Sequence, residues 1–190
     1  MGLKVSNEQN KILQPPQPIK PEYLLEDFDS GNPELDDWLR KRALKNEDTG
    51  ASRTYVVTME QKIIAYYCLA NGSVLNTSAP GRVSRNMPDA IPVMVIGRLA
   101  VDQNWQGKGI GRGLVRDAVL RTLQAASIAG IRAILVHAIS EKAGQFYQKC
   151  GFIASPVAPM TLMVTIGDVK AAFGIVETAA PSEIQEQLLS

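Results

Sequence analysis

Histidine occurs once, at His137, and cysteine twice, at Cys68 and Cys150. A single histidine excludes most histidine-rich metal sites and argues against a Ser-His-Asp triad, and no metal is expected. Two thiols without C-x-x-C spacing make neither a zinc site nor a disulfide framework, and they read as reduced thiols of a cytoplasmic protein. Neither sign of charge is in excess: 20 Lys+Arg stand against 19 Asp+Glu, a formal net charge of +1. Only a local basic patch could then support nucleic-acid binding. No apolar run is long enough to span a bilayer, so no membrane partner is expected. Residues 1–20 lack the apolar stretch of a signal peptide and are broken by Pro15, Pro16 and Pro18. What is present is ordinary: 190 residues, 45% hydrophobic and 21% charged, enough for one globular domain with a core.

The prolines make residues 1–20 an exposed leader, with the domain spanning 21–170 and a tail over 171–190. Asn32-Pro33-Glu34 is a helix start, followed at helical spacing by Leu35, Trp38, Leu39 and Ala43, with Gly50 as the stop. Residues 54–58 and 62–70 are rich in β-branched and aromatic side chains and read as strands. Residues 76–92 look like a loop. Residues 93–101 form a long apolar strand. A helix over about 111–129 carries Leu114, Val115, Ala118, Val119 and Thr122 on one arc. Arg112, Arg116, Asp117, Arg121 and Gln124 fall on the other arc, and Gly130 is the expected cap. Residues 131–139 are strand-like. Ser140 caps a short helix that Gly151 ends, and strands follow at 152–153 and 160–166. A short helix over 182–189 is one reading of the tail. The order of elements predicts a layered α/β structure, a mixed sheet flanked by helices.

Between the long strand and the amphipathic helix lies Gln106-Gly107-Lys108-Gly109-Ile110-Gly111-Arg112. Glycines opening a helix let a phosphate approach backbone N–H groups at the positive end of the helix dipole. The spacing fits neither the Walker A loop, because Gly109 follows Lys108, nor the G-x-G-x-x-G dinucleotide fingerprint. Tight packing of strand against helix is the plainer reading. Downstream, Phe146-Tyr147-Gln148-Lys149-Cys150-Gly151-Phe152 places a phenol on the short helix. Such a phenol is either a packed core residue or a proton donor.

The loop Gln106-x-x-Gly109-x-Gly111 and the F-Y-x-x-x-G-F segment together resemble the GNAT acetyltransferases, which hold acetyl-coenzyme A. Further blocks resemble the acetyltransferase toxins of type II toxin–antitoxin systems within that family. They are Phe28-Asp29-Ser30-Gly31 with Leu35-Asp36-Asp37-Trp38-Leu39, then Gly97-Arg98-Leu99-Ala100-Val101, and Leu135-Val136-His137-Ala138. The resemblance implies the GNAT fold and transfer of acetyl from acetyl-coenzyme A to the α-amino group of aminoacyl-tRNA, blocking translation. It implies Tyr147 as the acid toward the leaving thiolate. It also implies Leu99, Ala100 and Val101 at the coenzyme, with backbone groups of Leu99 and Val101 on the pantetheine arm or the thioester carbonyl, and Gln106, Gly107, Lys108, Gly109, Ile110, Gly111 and Arg112 on the pyrophosphate. Ser140 stands where wider relatives carry Asn at a coenzyme contact. A homodimer and a ribbon-helix-helix antitoxin are implied as partners, with DNA reached only through the antitoxin.

Arg40, Lys41, Arg42, Lys45 and Arg53, with Arg82, Arg85 and Arg98, are the candidate tRNA surface; helix faces also carry such residues for solubility alone. His137 lies in an apolar run and reads as a core histidine rather than a base. No general base is legible, and an aminoacyl amine, less basic than a lysine side chain, could dispense with one. Two alternatives differ in class. One is an acetyltransferase acting on a small amine or a protein N-terminus; the other is a coenzyme-binding module acting only through a DNA-binding partner.

Overall fold

A computed structural model describes residues 12–175, so the helix expected over 182–189 lies outside the described residues. Among these residues seven strands form one sheet in the order β1-β2-β3-β4-β5-β7-β6. They are β1 (Gln17–Pro18), β2 (Arg53–Met59), β3 (Lys62–Leu75), β4 (Ala90–Val101), β5 (Ala133–His137), β6 (Ile153–Ala154) and β7 (Thr161–Thr165). The helices are α1 (Pro33–Trp38), α2 (Leu44–Thr49), α3 (Gly81–Ser84), α4 (Ile110–Ala126), α5 (Glu141–Lys149) and α6 (Ile166–Ala172). Only β4 and β5 run parallel; the other neighbours are antiparallel. This is the expected mixed sheet flanked by helices.

The expected exposed leader is corrected over residues 12–20. Gln17 and Pro18 pair with Val56 and Tyr55, Leu13 bridges Met59, and Ile19 is 5% exposed. The prolines that forbid a helix are tolerated here because an edge strand owes no ladder bond on its outer side.

Asn32 caps α1 as its sequence predicts, its side-chain oxygen accepting the N–H groups of Glu34 and Leu35. A five-residue π segment, Leu39–Ala43, joins α1 to α2. Leu35, Leu39 and Ala43 recur every fourth residue and pack on Phe28, Val56, Ile63 and Tyr66. That spacing drifts around an ideal helix of about 3.6 residues per turn, and the wider π turn absorbs the drift. Gly50 then ends α2 with a left-handed φ of 75°.

On the other face of the sheet, α4 buries Leu114, Val115, Ala118, Val119 and Thr122 against Ile64, Tyr67, Ile96 and Ile134. One expectation for α4 is corrected: the helix ends at Ala126 with Ser127 as its cap, and Gly130 is not in the left-handed region. On its other arc, Asp117 accepts the Tyr67 hydroxyl and Arg121 Nε, the latter at 2.8 Å. The Tyr67 hydroxyl, buried beneath α4, finds its acceptor on that helix.

The segment 76–92 is more ordered than a loop, holding a turn of helix at Asn76–Ser78 and then α3. β4 begins at Ala90 and includes Pro92, which precedes the first β4–β5 pair, Val93 with Ala133. β5 and β7 are shorter than expected, because pairing begins and ends at Ala133↔Thr165 and His137↔Thr161.

Candidate active site

β4 and β5 pair from Val93↔Ala133 to Ile96↔Val136 and then part. Beyond that point β4 continues to Val101, paired only with β3. A β-bulge marks the parting: Cys68 pairs with Arg98 and Leu69 with Ile96, leaving Gly97 without a partner. Bulges bend the strand that carries them, so β4 turns away from β5. A Cβ on Gly97 would lie 3.2 Å from Cys68 Sγ, tighter than most real contacts.

A cavity of about 520 Å³ opens where the strands part. Its walls include Glu34 and Leu35 of α1, Gly97, Arg98 and Leu99 of β4, His137 at the end of β5, and Ser140, Phe146 and Tyr147. A second hollow of about 460 Å³ lies along Val101, Gln106, Gly107, Gly109, Ile110, Gly111 and Arg112. Phe146 borders both, so the two form one groove along the free side of β4. Of the three strand residues singled out in the sequence, Leu99 and Val101 line the groove, whereas Ala100 is 4% exposed and packs on the α1 side.

The glycine loop opens α4. Gly107 and Gly109 take left-handed φ values of 75° and 82°. A Cβ at either would meet nothing within 4 Å, so glycine serves backbone conformation there, not clearance. Gly109 is the N-cap and brings no side-chain cap, which leaves the first N–H groups of a 17-residue helix open to a ligand. Lys108 holds its ammonium 4.5 Å from the Trp105 ring centre, and Arg112 is exposed. Open donors, positive side chains and clear space fit a pyrophosphate. Gln106 works differently: its Nε2 donates to Ser30 O and Val101 O, both at 2.9 Å.

Tyr147 is 8% exposed and stacks edge-on with Phe146 at 5.1 Å and Phe152 at 5.7 Å. Burial pushes its hydroxyl well above the ordinary phenol range, with the Cys150 and Cys68 thiols adding to the effect. Among the described residues no group hydrogen-bonds that hydroxyl. Ser140 caps α5, its Oγ accepting Ala143 N–H at 3.1 Å, and its own O–H is left to donate.

His137 is corrected most sharply. It is exposed, not core, because β5 ends with it. It lines the cavity with Tyr147, and its Nδ1 lies 3.0 Å from Thr161 Oγ1. The turn that must precede the Ser140 cap is the signal that could have placed it at the strand end.

Of the eight candidate basic residues, five hold partners within the chain. Arg98 sits in the cavity wall, with Nη1 on Gly97 O at 2.7 Å and Nη2 3.6 Å from Glu34. Arg40 donates to Phe28 O, and Lys41 pairs with Asp37 at 2.7 Å. Arg53 pairs with Glu47, and Arg82 with Asp168 at the α6 end of the molecule. Arg42, Lys45 and Arg85 are exposed.

Residues 50–154 match the family described as Acetyltransferase (GNAT) domain. The chain belongs to the GNAT acetyltransferases. It is 50% identical over 147 residues to a tRNA-acetylating toxin of Mycobacterium tuberculosis, covering 77% of this chain and 89% of that protein. It is 26% identical over 175 residues to a probable toxin TacT of Sinorhizobium fredii, covering 86% and 96% of the two chains. Among solved structures, AtaT complexed with acetyl-methionyl-tRNAfMet superposes with a TM-score of 0.79 at 26% identity, over 85% of this GNAT chain and 99% of that one. The GNAT match spans β2 through β6 and so contains the bulge, the glycine loop and Tyr147.

Proposed function

We propose that this GNAT chain is a toxin that transfers the acetyl group of acetyl-coenzyme A to the α-amino group of aminoacyl-tRNA and thereby stops translation. The observation that carries this reading is the pair of adjoining hollows at the β4–β5 parting, one lined by the glycine loop and the other by Tyr147, in a chain 50% identical to a tRNA-acetylating toxin.

The α4 N-terminus, with Lys108 and Arg112, would hold the pyrophosphate. The backbone of Leu99 and Val101, unpaired on the β5 side, would hold the pantetheine amides, and Ser140 would donate its O–H. Acetyl-coenzyme A supplies an electrophilic thioester carbon and a sulfur leaving group. Tyr147, kept protonated by burial, donates its proton toward that sulfur. Gln106 acts by fixing the loop, not by touching phosphate. Arg42, Lys45 and Arg85, with Arg98 at the cavity, are the side chains offered to tRNA.

The partners proposed are aminoacyl-tRNA, a second copy of the chain, and a neutralising antitoxin of the ribbon-helix-helix type through which DNA is reached. The antitoxin finds support in a related structure, a tyrosine-to-phenylalanine mutant of AtaT bound to the C-terminus of the antitoxin AtaR and acetyl-CoA, 25% identical over 86% of this chain with a TM-score of 0.73. The place of action is the cytoplasm; no helix among the described residues is long and apolar enough to cross a membrane.

Incubation with labelled acetyl-coenzyme A and charged tRNA tests the reading. Label should appear on the aminoacyl amine. Label on a small amine or a protein N-terminus, with charged tRNA untouched, would overturn it.

A further inference from the structure

We propose that His137 is the proton acceptor for the attacking amine, an inference that rests on the acetyl-transfer reading above. The only imidazole in the chain stands at the end of β5, where the strands part, and shares a cavity wall with Tyr147. Its Nδ1 lies 3.0 Å from Thr161 Oγ1 at the start of β7. In the tautomer whose Nδ1–H donates to that hydroxyl, Nε2 is the acceptor and is left for substrate. The charged and titratable side chains that line the same cavity are Glu34 of α1, Arg98 of β4, and Lys142 and Tyr147 of α5. Glu34 and Arg98 are already paired with each other. Nε2 of His137 is then the ring nitrogen that faces no partner of its own among the described residues.

The proton balance is complete with these two side chains. The amine nitrogen bonds the carbonyl carbon and the carbon–sulfur bond breaks. The proton shed by the nitrogen goes to His137 Nε2, while Tyr147 protonates the departing sulfur. Proton exchange with water then returns the imidazole to neutral and the phenol to its protonated form. The products are the acetylated amine and the free thiol.

The test uses the full-length, tag-free protein. His137→Ala should slow single-turnover acetylation about 100-fold, leave acetyl-coenzyme A affinity unchanged, and recover much of its rate on addition of free imidazole. His137→Gln, which keeps a polar side chain but has no basic ring nitrogen, should be as slow as His137→Ala and should equally be rescued by imidazole. A second readout needs no turnover: ring-labelled His137 gives one signal, and 3′-aminoacylamino-adenosine added without acetyl-coenzyme A should shift it. An unchanged rate, or a slow variant that imidazole does not rescue, would overturn the proposal, as would a ring signal indifferent to the analogue. A wild-type protein that acetylates a small amine and not charged tRNA ends the tRNA reading alone, and the same rescue with that amine then decides the role of His137.

Discussion

Gln106 and Ser30, 76 positions apart, are joined by a 2.9 Å hydrogen bond from the Gln106 side chain to the Ser30 carbonyl. The same amide nitrogen reaches Val101 O at 2.9 Å. Asp102, 7% exposed, adds a second tie, accepting the N–H of Asp29 at 3.3 Å and that of Asn104 at 2.9 Å. Gln103 N–H donates to Asp29 O at 2.8 Å. The segment before α1 and the loop before α4 are thus one bonded unit, and α1 brings Glu34 and Leu35 to the cavity from that unit. Gln106→Ala removes two bonds and is expected to cost about 1 kcal/mol of stability. It should raise the dissociation constant for acetyl-coenzyme A several-fold, with kcat at saturation nearly intact. Calorimetric titration beside thermal unfolding separates the two effects.

Gly109 and Gly113 lie four residues apart and should respond oppositely to alanine. Gly109 has a φ of 82°, and a side chain there is strained whatever the space around it. Gly109→Ala should destabilise by about 1–2 kcal/mol and weaken acetyl-coenzyme A binding. Gly113 lies inside α4 with nothing within 4 Å of an added Cβ. Gly113→Ala should stabilise by about 0.5–1 kcal/mol and leave coenzyme affinity alone. Urea unfolding and a coenzyme titration of both variants check the contrast.

Tyr147→Phe removes one oxygen atom from a buried ring held by two edge-on neighbours. The ring packing survives, so stability should change little. No group among the described residues bonds the hydroxyl, so no acceptor is orphaned by its loss. Acetyl transfer should fall by about 100-fold or more, with acetyl-coenzyme A affinity unchanged. The wild type should show no alkaline loss of rate from this phenol at or below its ordinary pKa of 10.0, because burial raises it from there. A pH–rate profile run above neutrality reads that directly.

Local signals carried much of this structure because they act within a few residues. The Asn32 cap, the Gly50 and Gly151 stops and the apolar arc of α4 depend only on spacing and turn chemistry. The glycine loop before α4 and the short helix that carries Tyr147 are legible for the same reason, since each is a contiguous motif. His137 was not, because its exposure is decided by where β5 loses its neighbours, a pairing between distant segments. The role of Gln106 was equally hidden, because its partner is the backbone of a residue far along the chain. β1 is not legible because prolines suppress the local pattern of a strand, whereas an edge strand accepts them. The sequence shows only the charge of Arg98; the bulge and the parting of β4 from β5 make it a cavity residue.

Charged tRNA should be acetylated less efficiently as salt rises, since each phosphate contact releases bound counterions. Arg42, Lys45 and Arg85 are exposed, whereas Lys41 and Arg53 already hold carboxylates. Lys45→Ala should therefore raise KM for charged tRNA and shallow its salt dependence by about one unit of log–log slope. Lys41→Ala should do less, because its ammonium lies 2.7 Å from Asp37. Equal effects from both would show that tRNA displaces the surface pair.

Stability should fall as the solution turns alkaline. Burial holds the Cys68 thiol up at about 11 against an ordinary 9.0. Between those values the unfolded chain has shed a proton that the folded chain retains. The unfolded state then binds fewer protons, and the free energy of unfolding declines with rising pH. Tyr66, Tyr67 and Tyr147 are raised in the same direction from 10.0, first of all by burial, so the decline steepens once free phenols begin to ionise. Urea midpoints measured across this range should drop continuously. Cys68→Ala is expected to flatten the portion that begins near pH 9 and to leave the steeper phenol portion in place. A midpoint independent of pH in the wild type would mean that these four groups are not held away from water in solution.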